Sequence, residues 1–215
     1  MKKAVIFDMD GTILDTIEDL TDSLNHVMRE YSFPEHTVSE VKSFVGNGIH
    51  RLIVRALPKD TDPVLIEEIY RSFSVYYRAH CQEKTRPYEG IRELLNKLKD
   101  SGIRTAVISN KADAAVGALC ESMFQGCFDF YMGATDGVKL KPDREMVDIA
   151  LEKLSVCSAD SVYVGDSNVD IETAKNAELD CICVTWGFRT RQALIESGAE
   201  ILCDTCDDLF SAVIS

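Results

Sequence analysis

Ala4-Val5-Ile6-Phe7-Asp8-Met9-Asp10-Gly11-Thr12 opens the chain with a short apolar run that ends in two carboxylates two residues apart. An apolar run of this length closed by a Gly-Thr turn reads as a buried strand. Side chains alternate across a strand, so extended geometry carried through its end aims Asp8 and Asp10 at one point. Open α/β sheets keep their ligand sites beyond the carboxyl ends of their strands. Two anions that close repel, so one takes up a proton or both share a cation, and a hard divalent ion such as Mg²⁺ suits oxygen donors. Chance pairs also occur, because 36 of 215 residues are acidic. Asp60-Thr61-Asp62 is one of these. It precedes Pro63 and a helix-like stretch, and it fits helix capping.

Beyond Gly90 the chain alternates. Helix-like segments at 91–100, 112–122, 143–154, 170–177 and 190–197 separate strand-like runs at 104–108, 128–132, 161–164, 181–185 and 200–202. Regular alternation of this kind predicts an α/β fold: a Rossmann-like parallel sheet of about six strands with helices on both faces. Residues 15–84 break the rhythm with helix-like pieces at 17–31, 38–44, 49–57 and 63–81. There Leu20, Leu24, Val27 and Met28 recur at helical spacing, and Pro34, Pro58 and Pro63 punctuate the segment. The expectation is an inserted all-α helical-bundle cap, residues 15–84, over a catalytic core of residues 1–14 and 85–215.

Hydrophobic content of 46% with 27% charged residues fits a globular chain with a real core. A formal charge of −13 and a pI near 4.7 disfavour nucleic acid as a partner. No long apolar stretch offers a membrane span, and two acids by position 10 do not suit a signal peptide. Eight cysteines without an export signal read as reduced thiols in the cytoplasm. Cys181 and Cys183 alternate with Ile182 and Val184 as small hydrophobes. Cys203-Asp-Thr-Cys206 has redox or zinc spacing, but no second pair or histidine accompanies it. The four histidines (26, 36, 50, 80) show no ligand spacing. A monomer or weak homo-oligomer is expected.

Three further segments bring chemistry to the same sheet edge. Ser109-Asn110-Lys111 places a hydroxyl and an amide just past a strand, as neutral donors or as ordinary turn chemistry. In Lys139-Leu140-Lys141-Pro142-Asp143, Pro142 fits the first position of a helix. That leaves the Lys141 ammonium free to reach inward to a phosphoryl group, or to stay solvated. Val162-Tyr163-Val164-Gly165-Asp166-Ser167-Asn168-Val169-Asp170 repeats the opening pattern. Asp166 would complete a metal site with Asp8 and Asp10, and Asp170 would orient waters or Lys141, unless the acid merely caps the next helix.

Phe7-Asp8-Met9-Asp10-Gly11-Thr12, Ser109, Lys141-Pro142 and Gly165-Asp166-Ser167-Asn168-Val169-Asp170 together resemble the four motifs of the haloacid dehalogenase (HAD) superfamily. The resemblance covers essentially the whole chain, and the helical insert resembles that superfamily's small α-helical cap. Ser109-Asn110-Lys111, Phe44-Val45-Gly46-Asn47-Gly48-Ile49-His50-Arg51-Leu52 and Trp186-Gly187-Phe188-Arg189 look most like bacterial phosphoglycolate phosphatases. The resemblance implies Mg²⁺-dependent phosphoryl transfer through an aspartyl-phosphate, with Asp8 as nucleophile and Asp10 as acid and base. It further implies Mg²⁺ on Asp8, Asp166 and the Asp10 main-chain carbonyl, with Asp170 behind them. Ser109, Asn110 and Lys141 would hold the phosphoryl group, joined by main-chain amides near Met9 and Asn110. An acid at position 10 speaks against haloacid dehalogenation. The expected partner is a small phosphorylated metabolite, 2-phosphoglycolate foremost, its carboxylate read by Gly48, His50 and Arg51 of a cap hinged near Asp15-Thr16 and Arg86-Pro87. A β-phosphoglucomutase-like sugar-phosphate mutase, a pyrophosphatase, a nucleoside monophosphate phosphatase and phosphonate cleavage using Lys42 stand as alternatives. A non-catalytic binding module is opposed by the retention of Asp8, Asp10, Lys141, Asp166 and Asp170.

Overall fold

Strand β1 (Ala4–Phe7) is wholly buried in the interior of a six-stranded parallel sheet. The structure is a computed structural model, and it describes residues 1–46 and 48–215. The chain forms two units, residues 1–14 with 87–215 and residues 15–86. After β1 come β2 (Leu14–Asp15), the helices α1 (Ile17–Glu30), α2 (Val38–Phe44), α3 (Ile49–Ala56) and α4 (Pro63–His80), and β3 (Arg86–Pro87). Then follow α5 (Ile91–Asp100), β4 (Arg104–Ala112), α6 (Asp113–Met123), β5 (Phe130–Ala134), α7 (Glu145–Leu154) and β6 (Ser161–Gly165). The chain ends with α8 (Asn168–Asn176), β7 (Asp180–Val184), α9 (Arg191–Glu196), β8 (Ile201–Cys203) and α10 (Cys206–Ile214).

The strands lie in the order β5-β4-β1-β6-β7-β8. Ala4 stands opposite Arg104 and Ser161, and Phe7 opposite Val107 and Val164. Alternation sorts the core into two layers. Val5 and Phe7 join Val107 and Val164 against Leu94, Leu119 and Leu209 of α5, α6 and α10. Ala4 and Ile6 join Ala106, Ile108 and Tyr163 against Val147 of α7 and Ala174 of α8. Each buried Val, Leu, Ile or Phe contributes about 1.5–3 kcal/mol, so both faces of β1 are anchored and its C-terminal end is held firmly in place.

Most boundaries read from the sequence move by at most two residues. The two-residue strands β2 and β3, which pair with each other, have no counterpart in that reading, and three further points differ. Helix α10 was not foreseen; it is capped by Thr205, whose hydroxyl accepts from the Asp208 amide while Asp208 binds back. Strand β4 continues past position 108 to Ala112. Pro142 does not begin a helix: the Lys141-Pro142 peptide is cis, and α7 starts at Glu145, whose amide donates to Asp143 at 3.0 Å.

In the helical unit α1 packs on α2 and α4, and α3 on the same two helices. Its interior is built from Leu24, Val27, Met28, Val41, Ile53, Ile69 and Phe73. Asp62 caps α4 by accepting from the Val64 amide at 2.8 Å, with Pro63 in the first turn. Asp19, buried in α1, accepts from the Lys84 and Thr85 amides and from Thr85 Oγ1 at 2.7–2.9 Å. These bonds keep the returning chain with α1, so the unit ends at Arg86, two residues beyond the boundary read from the sequence. Among the described residues no helix is long and apolar enough to cross a membrane.

Candidate active site

Asp8 is the first residue past β1, and its amide still donates to the Val164 carbonyl at 2.9 Å. Strand pairing therefore fixes its main chain. Oδ1 of Asp8 accepts from the Met9 amide at 2.7 Å and meets the Lys141 ammonium at 2.7 Å. Burial pushes the Asp8 carboxyl well above the usual range; Lys141 pulls it down, and Asp170 and Asp166 push it further up.

Lys141 is reached by a route the sequence only half discloses. Asn110 clamps its main chain at both ends: the side-chain amide donates to the Lys141 carbonyl at 2.9 Å, and its oxygen accepts from the Lys141 amide at 2.8 Å. The Asn110 side chain thus holds the lysine's backbone. The buried ammonium lies 2.7 Å from Asp8, 2.9 Å from Asp170 and 3.0 Å from the Tyr163 hydroxyl. Three partners match its three protons. Burial works against this charge, but Asp170 and Asp8 outweigh it and hold the ammonium well above its ordinary pKa.

Asp170 is oriented by its own helix. Ser167 is the N-cap of α8, and Asp170 returns the bond by accepting from the Ser167 amide and hydroxyl at 3.1 and 2.6 Å. Ser167, rather than Asp166, does the capping, which leaves Asp166 for the site. Asp166 accepts from Thr12 Oγ1 at 3.3 Å and from the Phe188 amide at 2.6 Å. Burial, with Asp170 adding to it, raises the Asp166 carboxyl to about 7 against the pull of the Phe188 amide. Gly11 and Gly187 make the close approach possible. A Cβ on Gly11, already at φ +89°, would lie 2.4 Å from Asp166 Oδ2, and one on Gly187 would lie 2.3 Å from Asp166 Cβ.

Asp10 departs from the expectation that both carboxylates aim at one point. Extended geometry ends with β1, and the Asp10 carboxylate turns to Lys111, whose ammonium meets its two oxygens at 2.8 and 3.1 Å. The oxygens that converge within 4.8 Å belong to Asp8, Asp166 and Asp170. Lys111 had no role assigned from sequence. Because β4 extends to Ala112, burial alternates there, with Ser109 and Lys111 inside and Asn110 half-buried between them. Ser109 Oγ accepts from the Lys111 amide at 3.2 Å.

The donor set fits a hard divalent cation. Of four carboxylates here, Asp10 pairs with Lys111, and Asp8 and Asp170 share Lys141, while Asp166 is held by Thr12 and the Phe188 amide. Two of these acids are held above their usual range by burial. Added positive charge at all-oxygen donors would relieve that cost.

The other sequence-read positions lie in the helical unit. Gly48, at φ +81°, is the N-cap of α3, His50 meets Glu67 at 2.8 Å, and Arg51 is exposed. Asn47, in the turn read as Gly46-Asn47-Gly48, lies outside the described residues. All eight cysteines are free. Burial raises both Cys203 and Cys206 to about 11, so this pair stays protonated near neutral pH.

A family model described as haloacid dehalogenase-like hydrolase matches residues 5–184. The phosphoglycolate phosphatase of Agrobacterium fabrum is 34% identical over 205 residues, covering 93% of this chain and 87% of that protein. A crystal structure from Lactobacillus delbrueckii subsp. bulgaricus, provisionally assigned as a phosphoglycolate phosphatase, is 38% identical with a TM-score of 0.97, covering 99% of both chains. CbbY from Rhodobacter sphaeroides, solved in complex with phosphate, is 27% identical with a TM-score of 0.78, covering 97% of this chain and 96% of that one.

Proposed function

Because the chain belongs to the haloacid dehalogenase-like hydrolases, we propose that it is a phosphatase releasing phosphate from a small phosphomonoester, 2-phosphoglycolate foremost, through an aspartyl-phosphate on Asp8. The observation that carries this reading is the unequal pairing of two neighbouring acids: Asp8 with Lys141, Asp10 with Lys111. Two carboxylates in different environments suit two different tasks. Asp8 Oδ attacks phosphorus, while Lys141 neutralises the nucleophile and the phosphoryl oxygens together. Asp10 protonates the leaving oxygen, then takes a proton from the water that hydrolyses the acyl phosphate. Ser109 donates its hydroxyl to the phosphoryl group, with main-chain amides near Met9 and Asn110. Asp8, Asp166 and the Asp10 carbonyl, with Asp170 behind them, would hold Mg²⁺, which would supply charge neutralisation at the phosphoryl group.

The choice of 2-phosphoglycolate rests on relatives named for that activity. We read residues 15–84 as a cap whose Gly48, His50 and Arg51 meet the substrate carboxylate. Free thiols throughout fit a cytoplasmic enzyme. A panel of phosphomonoesters assayed for phosphate release, with Mg²⁺ and with excess EDTA, tests the proposal. The expected outcome is the highest kcat/KM for 2-phosphoglycolate and loss of turnover in EDTA. Conversion of β-glucose 1-phosphate to glucose 6-phosphate without phosphate release would overturn it in favour of a mutase.

A further inference from the structure

Residues 186–188 leave the C-terminal end of β7 and pass directly against the loop that follows β1. The Trp186 indole N–H donates to the Thr12 carbonyl at 3.0 Å. Thr12 Oγ1 donates in turn to one oxygen of Asp166, and the Phe188 amide donates to the other. Gly187 fits between them, where a Cβ would lie 2.4 Å from the Gly11 carbonyl oxygen. Both oxygens of Asp166 are thus tied to one strap, one directly and one through Thr12. The indole is only half-buried, and it borders an open cavity of about 710 Å³ also lined by Tyr88, Leu94 and Cys206. The ring packs against the edge of the core with its centroid 6.4 Å from that of Tyr88, and its bond to Thr12 is what ties it to the loop after β1.

We infer that Trp186 is a positioning residue for Asp166, holding the 11–12 loop at the height that keeps Asp166 directed into the carboxylate cluster. This rests on the reading of Asp166 as a metal-holding acid. Its mechanical content is separate from it. A change in the pull on Asp166 travels through Thr12 and through residues 187–188 to the same indole. Trp186 is the only tryptophan in the chain, so its emission reports that movement without a label.

The test titrates Mg²⁺ alone into the wild-type protein, following Trp186 emission and, in parallel, binding by calorimetry. The expected result is an emission change that saturates at the calorimetric midpoint and disappears in Asp166→Asn. In Trp186→Phe the Mg²⁺ midpoint should rise roughly fivefold, the usual effect of one lost hydrogen bond, with KM for the phosphomonoester unchanged. Combined with Thr12→Val, the two effects should fall short of their sum, because both substitutions cut the same relay. Calorimetric binding without an emission change overturns the inference, as does an unchanged midpoint in a folded Trp186→Phe. Where the Phe variant does not fold, the wild-type titration decides alone. Absence of any calorimetric binding overturns the metal assignment, and this inference with it.

Discussion

Lys111 holds both oxygens of the Asp10 carboxylate, at 2.8 and 3.1 Å, although the two residues lie 101 positions apart in the chain. Two positions before Asp10, Asp8 answers to a different ammonium, Lys141 at 2.7 Å. Lys111→Met should therefore affect acid–base chemistry and leave the surroundings of Asp8 intact. The expected loss is about a hundredfold in kcat, the lower end of what general acid–base catalysis supplies. Substrate KM should hardly move. Stability should fall by about 1–3 kcal/mol, read by urea unfolding. Unchanged kcat would mean that Asp10 needs no partner.

Asp8→Asn should separate function from stability. Turnover is expected to drop by about four orders of magnitude, as for loss of a covalent nucleophile. In chelator, thermal stability should stay level or rise, because Asp8, Asp166 and Asp170 crowd within 4.8 Å and removing one anion relieves them. Lys141 keeps Asp170 at 2.9 Å as a partner. A large fall in melting temperature would show that the Asp8–Lys141 pair matters more to the fold than to the reaction.

The pH dependence of the metal-free protein has a definite sign. Burial raises Asp166 to about 7, above its unfolded value of 3.8, so the folded state holds that proton more tightly. The stability it contributes is complete below about pH 4 and is lost as pH rises through 7. Asp8 is displaced in the same direction. Melting temperature in EDTA should fall between pH 5 and pH 8, and Asp166→Asn should flatten the slope. Mg²⁺ should restore most at the alkaline end, where the carboxylates are ionised. A melting temperature that climbs with pH in EDTA would contradict this account.

Asp19 offers a test in the helical unit. Its buried carboxylate satisfies two main-chain amides and the Thr85 hydroxyl. Asp19→Ala leaves those donors without an acceptor, at a cost of about 1–3 kcal/mol for each donor that water cannot reach. Hydrogen exchange should quicken at Lys84 and Thr85 while amides of β1 and β6 keep their protection. Uniform loss of protection would show that the two units unfold together.

Much of the site was legible because two acids follow an apolar strand or a Gly closing one. Asp8 and Asp166 could be placed from that pattern alone, and Asp170 from its spacing to Asp166. The lysine pairing of Asp10 was not legible. It depends on β4 running through Ser109-Asn110-Lys111, a stretch whose Ser-Asn pair suits a turn equally well. The signal was alternation: Ser109 and Lys111 share one side once the strand is extended. Pro142 misled because proline suits a first helical position, whereas here the helix begins three residues later at Glu145. Helix α10 was hidden by the cysteine spacing at 203–206, although Thr205 and Asp208 spell a capping box. The Asn110 clamp on Lys141 spans 31 residues, and no local pattern encodes such a contact.

The placement of β1 between β4 and β6 sets a timetable for biosynthesis. Of the six strands of the main sheet it is translated first, yet both of its neighbours are encoded about 100 and 157 residues later. At about 5–20 residues per second, the ribosome needs roughly ten seconds or more to deliver β6. Until then Val5, Ile6 and Phe7, all fully buried in the finished protein, belong to a nascent chain with unpaired strand edges. The helices of residues 15–86 emerge in that interval and can form their own core from local contacts. The strand that leads into Asp8 is thus made first and completes its pairing only when β6 arrives, so it passes longer than any other interior strand of the sheet with an open edge.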